Sequence, residues 1–244
     1  MPGWRRQTLA LVRAAEARCH RHTAADRARS AWRLRTGGPA TPVKIAIAVS
    51  LLSLAAGGAL AQRSQAWTRC AGGKGISPDG QISGCTAIIQ SGRENPQDLA
   101  RAFSNRGTAY FGKGDYRRAI QDYSQVINLE PDNATALDNR CWTRATVGLL
   151  GEALQDCEQS LRLRPNHEPT LATRGFVYLK SGAVEAAIGD YDAALATNPD
   201  NPYARYGRGV AKLRRGDASG NDDIAVAKAA RADIADEFAR YGLK

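Results

Sequence analysis

The chain has 244 residues, 43% of them apolar and 24% charged, with 34 Lys and Arg against 24 Asp and Glu and a formal charge of +10. Such a composition is ordinary for a globular protein and argues against wholesale disorder. The charge is lopsided: residues 1–44 carry 10 basic and 2 acidic side chains, residues 45–61 none, and residues 62–244 carry 24 against 22. A nearly neutral body disfavours nucleic-acid binding. Of the three His, His20 and His22 fall in the first segment, which leaves little for a His-rich metal site. About 180 residues remain beyond the N-terminal region, enough for one domain or one short repeat array.

In chain order, residues 1–42 form an Arg- and Ala-rich extension without a useful apolar run, read here as lying upstream of a true start at Val43. Residues 43–61 read as a signal peptide. Lys44 precedes an uncharged apolar run, 45–61, which ends in the small-x-small pattern Ala59-Leu60-Ala61 of a signal-peptidase site. Cleavage after Ala61 and a periplasmic or secreted body follow. The run is 17 residues long and contains Gly57-Gly58, short of the roughly 20 apolar residues of a spanning helix. The alternative is an uncleaved inner-membrane anchor with its basic end in the cytoplasm and the body facing the periplasm.

The body repeats itself at an offset of 34. Arg106, Arg140, Arg174 and Arg208 fall at that spacing, as do Gly114, Gly148, Gly182 and Gly216. Ala119, Ala153 and Ala187 recur, and so do Asp122, Asp156 and Asp190, and Pro131, Pro165 and Pro199. Each unit reads as two helices. In the first, Phe103, Gly107 and Tyr110 keep helical spacing up to the turn at Gly114-Asp115. Ala119, Ile120, Tyr123 and Ile127 mark a second amphipathic helix, which Pro131 stops. The small residues Gly107 facing Ala119, and Gly175 facing Ala187, are expected to let the two axes approach. Neither helix can bury its apolar stripe alone, so neighbouring units must stack.

These residues resemble the tetratricopeptide repeat. Its pattern appears as Phe103-x2-Arg106-Gly107-x2-Tyr110, Ala119-x3-Tyr123, Pro131, and again as Leu171-x2-Arg174-Gly175-x2-Tyr178, Ala187-x3-Tyr191, Pro199. The second unit has Cys141 and Cys157 where Gly and an aromatic residue are expected. The resemblance implies an all-α fold, an α-solenoid of antiparallel helix pairs forming a superhelix, with about 3.5–4 repeats plus a capping helix. The expected boundaries are a degenerate half-repeat cap at 62–99, repeats at 100–133, 134–167 and 168–201, a degenerate fourth at 202–232, and a capping helix at 233–244. The Arg-Gly usage and the export signal are similar to the exported repeat proteins of Gram-negative bacteria.

The exported part holds four Cys. Cys141 lies seven residues before Gly148 and Cys157 nine after it, which sets them nearly level in an antiparallel hairpin. A Cys141–Cys157 disulfide is therefore expected, and Cys70–Cys85 by elimination; the alternative is four buried free thiols. The recurring Arg106, Arg140, Arg174 and Arg208 share their period with Asp122, Asp156 and Asp190, predicting a ladder of Arg–Asp contacts within or between units.

Motifs of catalysis are missing: there is no G-x-S-x-G, no G-x-G-x-x-G after a strand, and no H-E-x-x-H. The expectation is a scaffold without cofactor or reaction, not an enzyme. The resemblance implies a concave wall built from the first helices, the usual site for extended peptides or partner helices. The expected groove residues are Asn105, Thr108 and Phe111; Asp138, Asn139 and Trp142; Thr173, Phe176 and Lys180; and Tyr203, Tyr206 and Val210. Asn amides suit a ligand's backbone, and Trp142, Phe176 and Tyr206 are candidate anchors, unless they pack between units instead. The Lys/Arg arrangement with which the family clamps a C-terminal carboxylate is not reproduced. The function expected is a periplasmic scaffold for a protein or peptide partner, the alternative a membrane-tethered structural subunit of an envelope assembly.

Overall fold

The computed structural model describes residues 61–243. The basic extension 1–42 and nearly all of the signal segment lie outside the described residues. Within them the chain is all helix: α1 (61–71), α2 (Pro78–Ser91), α3 (Pro96–Gly112), α4 (Tyr116–Leu129), α5 (Ala134–Thr146), α6 (Leu150–Leu163), α7 (Glu168–Ser181), α8 (Val184–Thr197), α9 (Pro202–Arg214), α10 (Gly220–Ala230) and α11 (Ile234–Arg240). No helix among the described residues is long and apolar enough to cross a membrane.

Local chemistry sets the boundaries. Ser77, Asn95, Asp115, Asn133 and Asn201 cap helix N-termini with their side-chain oxygens, and Pro78, Pro96 and Pro202 follow at the first helical position. Between the helices of each repeat, Gly114, Gly148, Gly182 and Gly216 take φ of 76° to 88°, a left-handed conformation that only glycine adopts without strain. That requirement explains one of the five 34-residue series.

Consecutive helices pack as antiparallel pairs: α3 with α4, α5 with α6, α7 with α8, and α9 with α10. Across units, the first helices α5, α7 and α9 touch one another in series, whereas no two second helices meet to the same extent. The tighter spacing of the first helices puts them on the inside of the curve. Small side chains line the seams: Ala102, Ala119, Ala136, Ala153, Ala187 and Ala204 are all fully or almost fully buried.

The side chain nearest to Gly107 and to Gly175 is a tyrosine ring. A β-carbon at position 107 would lie 2.9 Å from the Tyr123 ring, and one at 175 would lie 3.0 Å from Tyr191. The glycine is the recess that admits the ring. In the second unit the same two positions are Cys141 and Cys157, joined as a disulfide with Cα atoms 5.5 Å apart. A covalent bridge thus replaces a ring-in-recess contact at one level of the stack.

The N-terminal cap is more complete than the half-repeat expected. Residues 61–71 supply a first helix, and Ala66 and Cys70 are buried with Cys85 and Ile88 of α2. The Cys70–Cys85 disulfide, with Cα atoms 4.5 Å apart, ties that pair together. In the chain-entropy picture a loop of this size is worth about 3 kcal/mol.

The Arg–Asp pairs lie within each unit. Arg106 donates to both oxygens of Asp122 at 2.8 Å, Arg140 to Asp156 at 2.9 and 2.7 Å, and Arg174 to Asp190 at 2.7 Å. The fork leaves Nη1 free, and it turns to the preceding hairpin: Arg106 to Thr86, Arg140 to Ser124, Arg208 to Asp192. Each arginine therefore ties its own hairpin, and Arg106, Arg140 and Arg208 also dock theirs on the one before. In the fourth unit the carboxylate is Asp223, one residue earlier than the period demands, and it also accepts from Lys212. The paired carboxylate raises the pKa of Arg106 and Arg174 further, against the opposing effect of burial.

Two expectations follow. Arg174→Leu strands the buried Asp190 and should cost about 3 kcal/mol, the low end for breaking one side of a buried pair; Arg174→Leu with Asp190→Leu should recover much of that in urea unfolding. Replacing the disulfide by the ring-in-recess pair, Cys141→Gly with Cys157→Tyr, should keep the helical circular dichroism. It should also be more stable than Cys157→Tyr alone, which loses the bridge and crowds a ring into a site without its recess, at about 1–3 kcal/mol.

Candidate binding groove

The inner face splits into two parts. On α3, Asn105 and Phe111 are partly exposed and Thr108 is exposed. The Thr108 hydroxyl meets Tyr123 Oη at 3.2 Å, and the Phe111 ring lies 5.3 Å from Tyr116. Asn139 on α5 is also partly exposed. This end of the groove is open.

From α5 onward the groove holds the chain's own C-terminal segment. Phe176, expected on an open wall, is fully buried, and Thr173 is nearly so. Trp142 packs at 5.2 Å on Phe176, 5.5 Å on Tyr203 and 5.2 Å on Tyr241. Phe238 of α11 lies 5.6 Å from Phe176, 4.6 Å from Tyr203 and 4.7 Å from Tyr206. Rings from three successive first helices thus meet two rings of one short segment. Such tilted and edge-on pairs contribute about 0.5–1.5 kcal/mol each beyond their burial. Ile234 and Phe238 are completely buried, and Leu243 almost so, in the same core as Cys141, Phe176 and Tyr191. Val210 packs against this core from α9.

The seating is incomplete. A pocket of about 290 Å³ remains, lined by Trp142, Pro169, Ala172, Thr173, Asn201, Tyr203 and Glu237. The Tyr203 hydroxyl is buried without a hydrogen-bond partner, and burial pushes its pKa well above the ordinary value. Lys180 is no free cation: its Nζ donates to the Ala145 carbonyl at 2.9 Å and lies 5.5 Å from the Phe176 ring, with burial lowering its pKa. The part played by α11 was not legible in sequence. Asp233 to Tyr241 reads as a closing helix, and nothing in its residues says that it turns inward. The i, i+4, i+7 spacing of Ile234, Phe238 and Tyr241 was the available signal. Among the described residues no group of three His, Cys, Asp or Glu could hold a metal ion.

Asp138 is the one groove carboxylate whose burial raises its pKa, against Thr170, His167 and Arg164, which favour the charged form. One of its oxygens has no partner. Its folded pKa lies above the unfolded value near 3.9, so the native state holds this proton more tightly. That contribution is full at pH below the unfolded value and is lost as pH rises through the folded one. Asp138→Asn should therefore gain on the wild type between pH 4 and pH 7 in urea unfolding; a difference independent of pH would contradict the assignment.

Comparison with known proteins agrees with this architecture. Residues 100–133 match the family model described as tetratricopeptide repeat, and residues 175–216 one described as TPR repeat. Stress-induced-phosphoprotein 1 of Caenorhabditis elegans is 40% identical over 52 residues, 20% of this chain, which spans only 16% of that protein. Among solved structures, MamA of Desulfovibrio magneticus RS-1, from residue 41 to its end, superposes with a TM-score of 0.56 at 16% identity, over 64% of this chain and 86% of that one. A tetratricopeptide repeat protein from Parabacteroides merdae gives 0.54 at 23% identity, over 67% and 68%. At these identities the structures speak for the fold alone. Repeat period, helix pairing and family matches agree: the chain is a tetratricopeptide repeat protein whose described residues form a helical solenoid.

Proposed function

We propose that this chain is an exported repeat scaffold that binds a protein or peptide partner in the groove of its first helices, and is not an enzyme. The observation that carries this reading is that the groove takes a helix. Rings from α5, α7 and α9 converge on one inserted segment, which is how amphipathic helices are held by hydrophobic grooves. Few residues dominate such interfaces, and buried aromatic anchors are foremost among them. Tetratricopeptide repeats as a class are scaffolds for protein partners, which supports the same reading.

Export rests on two features. The apolar run 45–61 ends in a signal-peptidase pattern, and both pairs of cysteines are bridged, as suits an oxidising compartment. The proposed location is the periplasm of a Gram-negative bacterium, or the medium, after cleavage behind Ala61. Retention of the run as an anchor, giving a tethered envelope subunit, is the competing outcome; detergent-dependent release in fractionation would favour it over a washable protein.

Crosslinking in the periplasm should show partner capture by the wild type. Capture should fall at least about tenfold in Asn139→Ala/Trp142→Ala, a loss of about 1.4 kcal/mol or more at a hot spot, with helicity retained by circular dichroism. Undiminished capture would place the binding surface elsewhere.

A further inference from the structure

The C-terminal segment sits where a partner would. Helix α11 has seven residues, too few to persist alone in water, so the groove holds it in shape. Ile234, Phe238 and Tyr241 stand at i, i+4 and i+7, the spacing with which an amphipathic helix reads a groove. Asp236, Ala239 and Arg240, between the anchors, are exposed. The segment touches α9 and α10, as a cap over the last hairpin would. Beyond that, Tyr241 reaches the Trp142 ring of α5, two repeats back.

We infer, on the strength of the groove-binding reading above, that this segment is an internal stand-in for the partner. The partner is an amphipathic helix presenting an aliphatic anchor and two aromatic ones at i, i+4 and i+7, and it displaces residues 231–243. The fit of the resident segment leaves room for this exchange. Beside Glu237 the pocket of about 290 Å³, lined in part by Trp142 and Tyr203, is unfilled. A competing helix with a bulkier side chain at the Glu237 position gains contacts that the tail does not make. The segment is joined to α10 by a short non-helical link, 231–233. Arg231 pairs with Asp233 and Glu237, both within the segment, and these ion pairs travel with it.

The probe is a fluorescein-labelled peptide with the sequence of residues 232–244, titrated with the full chain and followed by anisotropy. Phe238→Ala/Tyr241→Ala weakens the resident segment, so this variant should bind the peptide at least about tenfold more tightly than the wild type, apparent affinity scaling with the open fraction. Adding Trp142→Ala should abolish that binding. Equal affinity in wild type and variant, or binding indifferent to Trp142→Ala, would overturn the inference. Capture of a second copy of the chain instead of the peptide, read as a dimer by light scattering, would do so too. Hydrogen exchange on the wild type needs no variant. Amides of 234–243 should exchange at least about 100-fold faster than those of α7, through local opening; equal protection would make the segment a fixed part of the core. Should the peptide fail while capture sensitive to Asn139→Ala/Trp142→Ala persists, the groove stands and the shared anchors fall.

Discussion

The structure depends on one contact level within each hairpin. Two helices of about 14 residues bury too little to stand alone, and they become a unit only by approaching closely enough for their stripes to merge with the next pair. At that level the chain uses a tyrosine ring in a glycine recess twice, at Gly107–Tyr123 and Gly175–Tyr191, and a disulfide once, at Cys141–Cys157. Both solutions hold the two helices of a hairpin together at the same level, one by ring volume and the other by a bond. The Arg–Asp pairs, one residue earlier on each helix, then lock the register. Each arginine fork closes on its own hairpin's carboxylate, and in three of the units its remaining nitrogen reaches the hairpin before.

Much of this was written in the sequence because the repeat imposes it. A left-handed turn demands glycine, and glycine recurs every 34 residues. An ion pair at fixed geometry demands the same two residues at the same separation, and Arg and Asp recur together. The fourth unit breaks the rule in an instructive way: a one-residue deletion moves its carboxylate to Asp223, and the arginine still finds it. Side-chain geometry is conserved there at the expense of spacing. The ring beside Gly107 and Gly175 was not foreseen for a related reason. Period identifies which positions meet, but a glycine matched to an alanine and a glycine matched to a ring give the same period.

The groove was less legible. Its residues were picked as those offset from the inward stripe, which fixes their side of the helix and not their occupant. Phe176 and Trp142 are where that reasoning put them, on the inner helices, but they face the chain's own Phe238 and Tyr241. A solenoid has an exposed end, and an apolar inner face is a second surface to cover. A short C-terminal segment settles both with three buried side chains, Ile234, Phe238 and Leu243. Such economy concerns contacts between residues 32 to 99 apart in the chain, which no local pattern encodes. It also places the shortest helix among the described residues on the surface most suited to a ligand.

The most direct test of this arrangement is the proximity of the tail to the second repeat in solution. Nuclear Overhauser effects between the Tyr241 ring and the Trp142 indole, whose centroids lie 5.2 Å apart, should be present in the wild-type chain and accompanied by contacts from Phe238 to Phe176. A Trp142 indole free of Tyr241 and open to solvent would mean that the groove is empty, and that the helix it holds here belongs elsewhere.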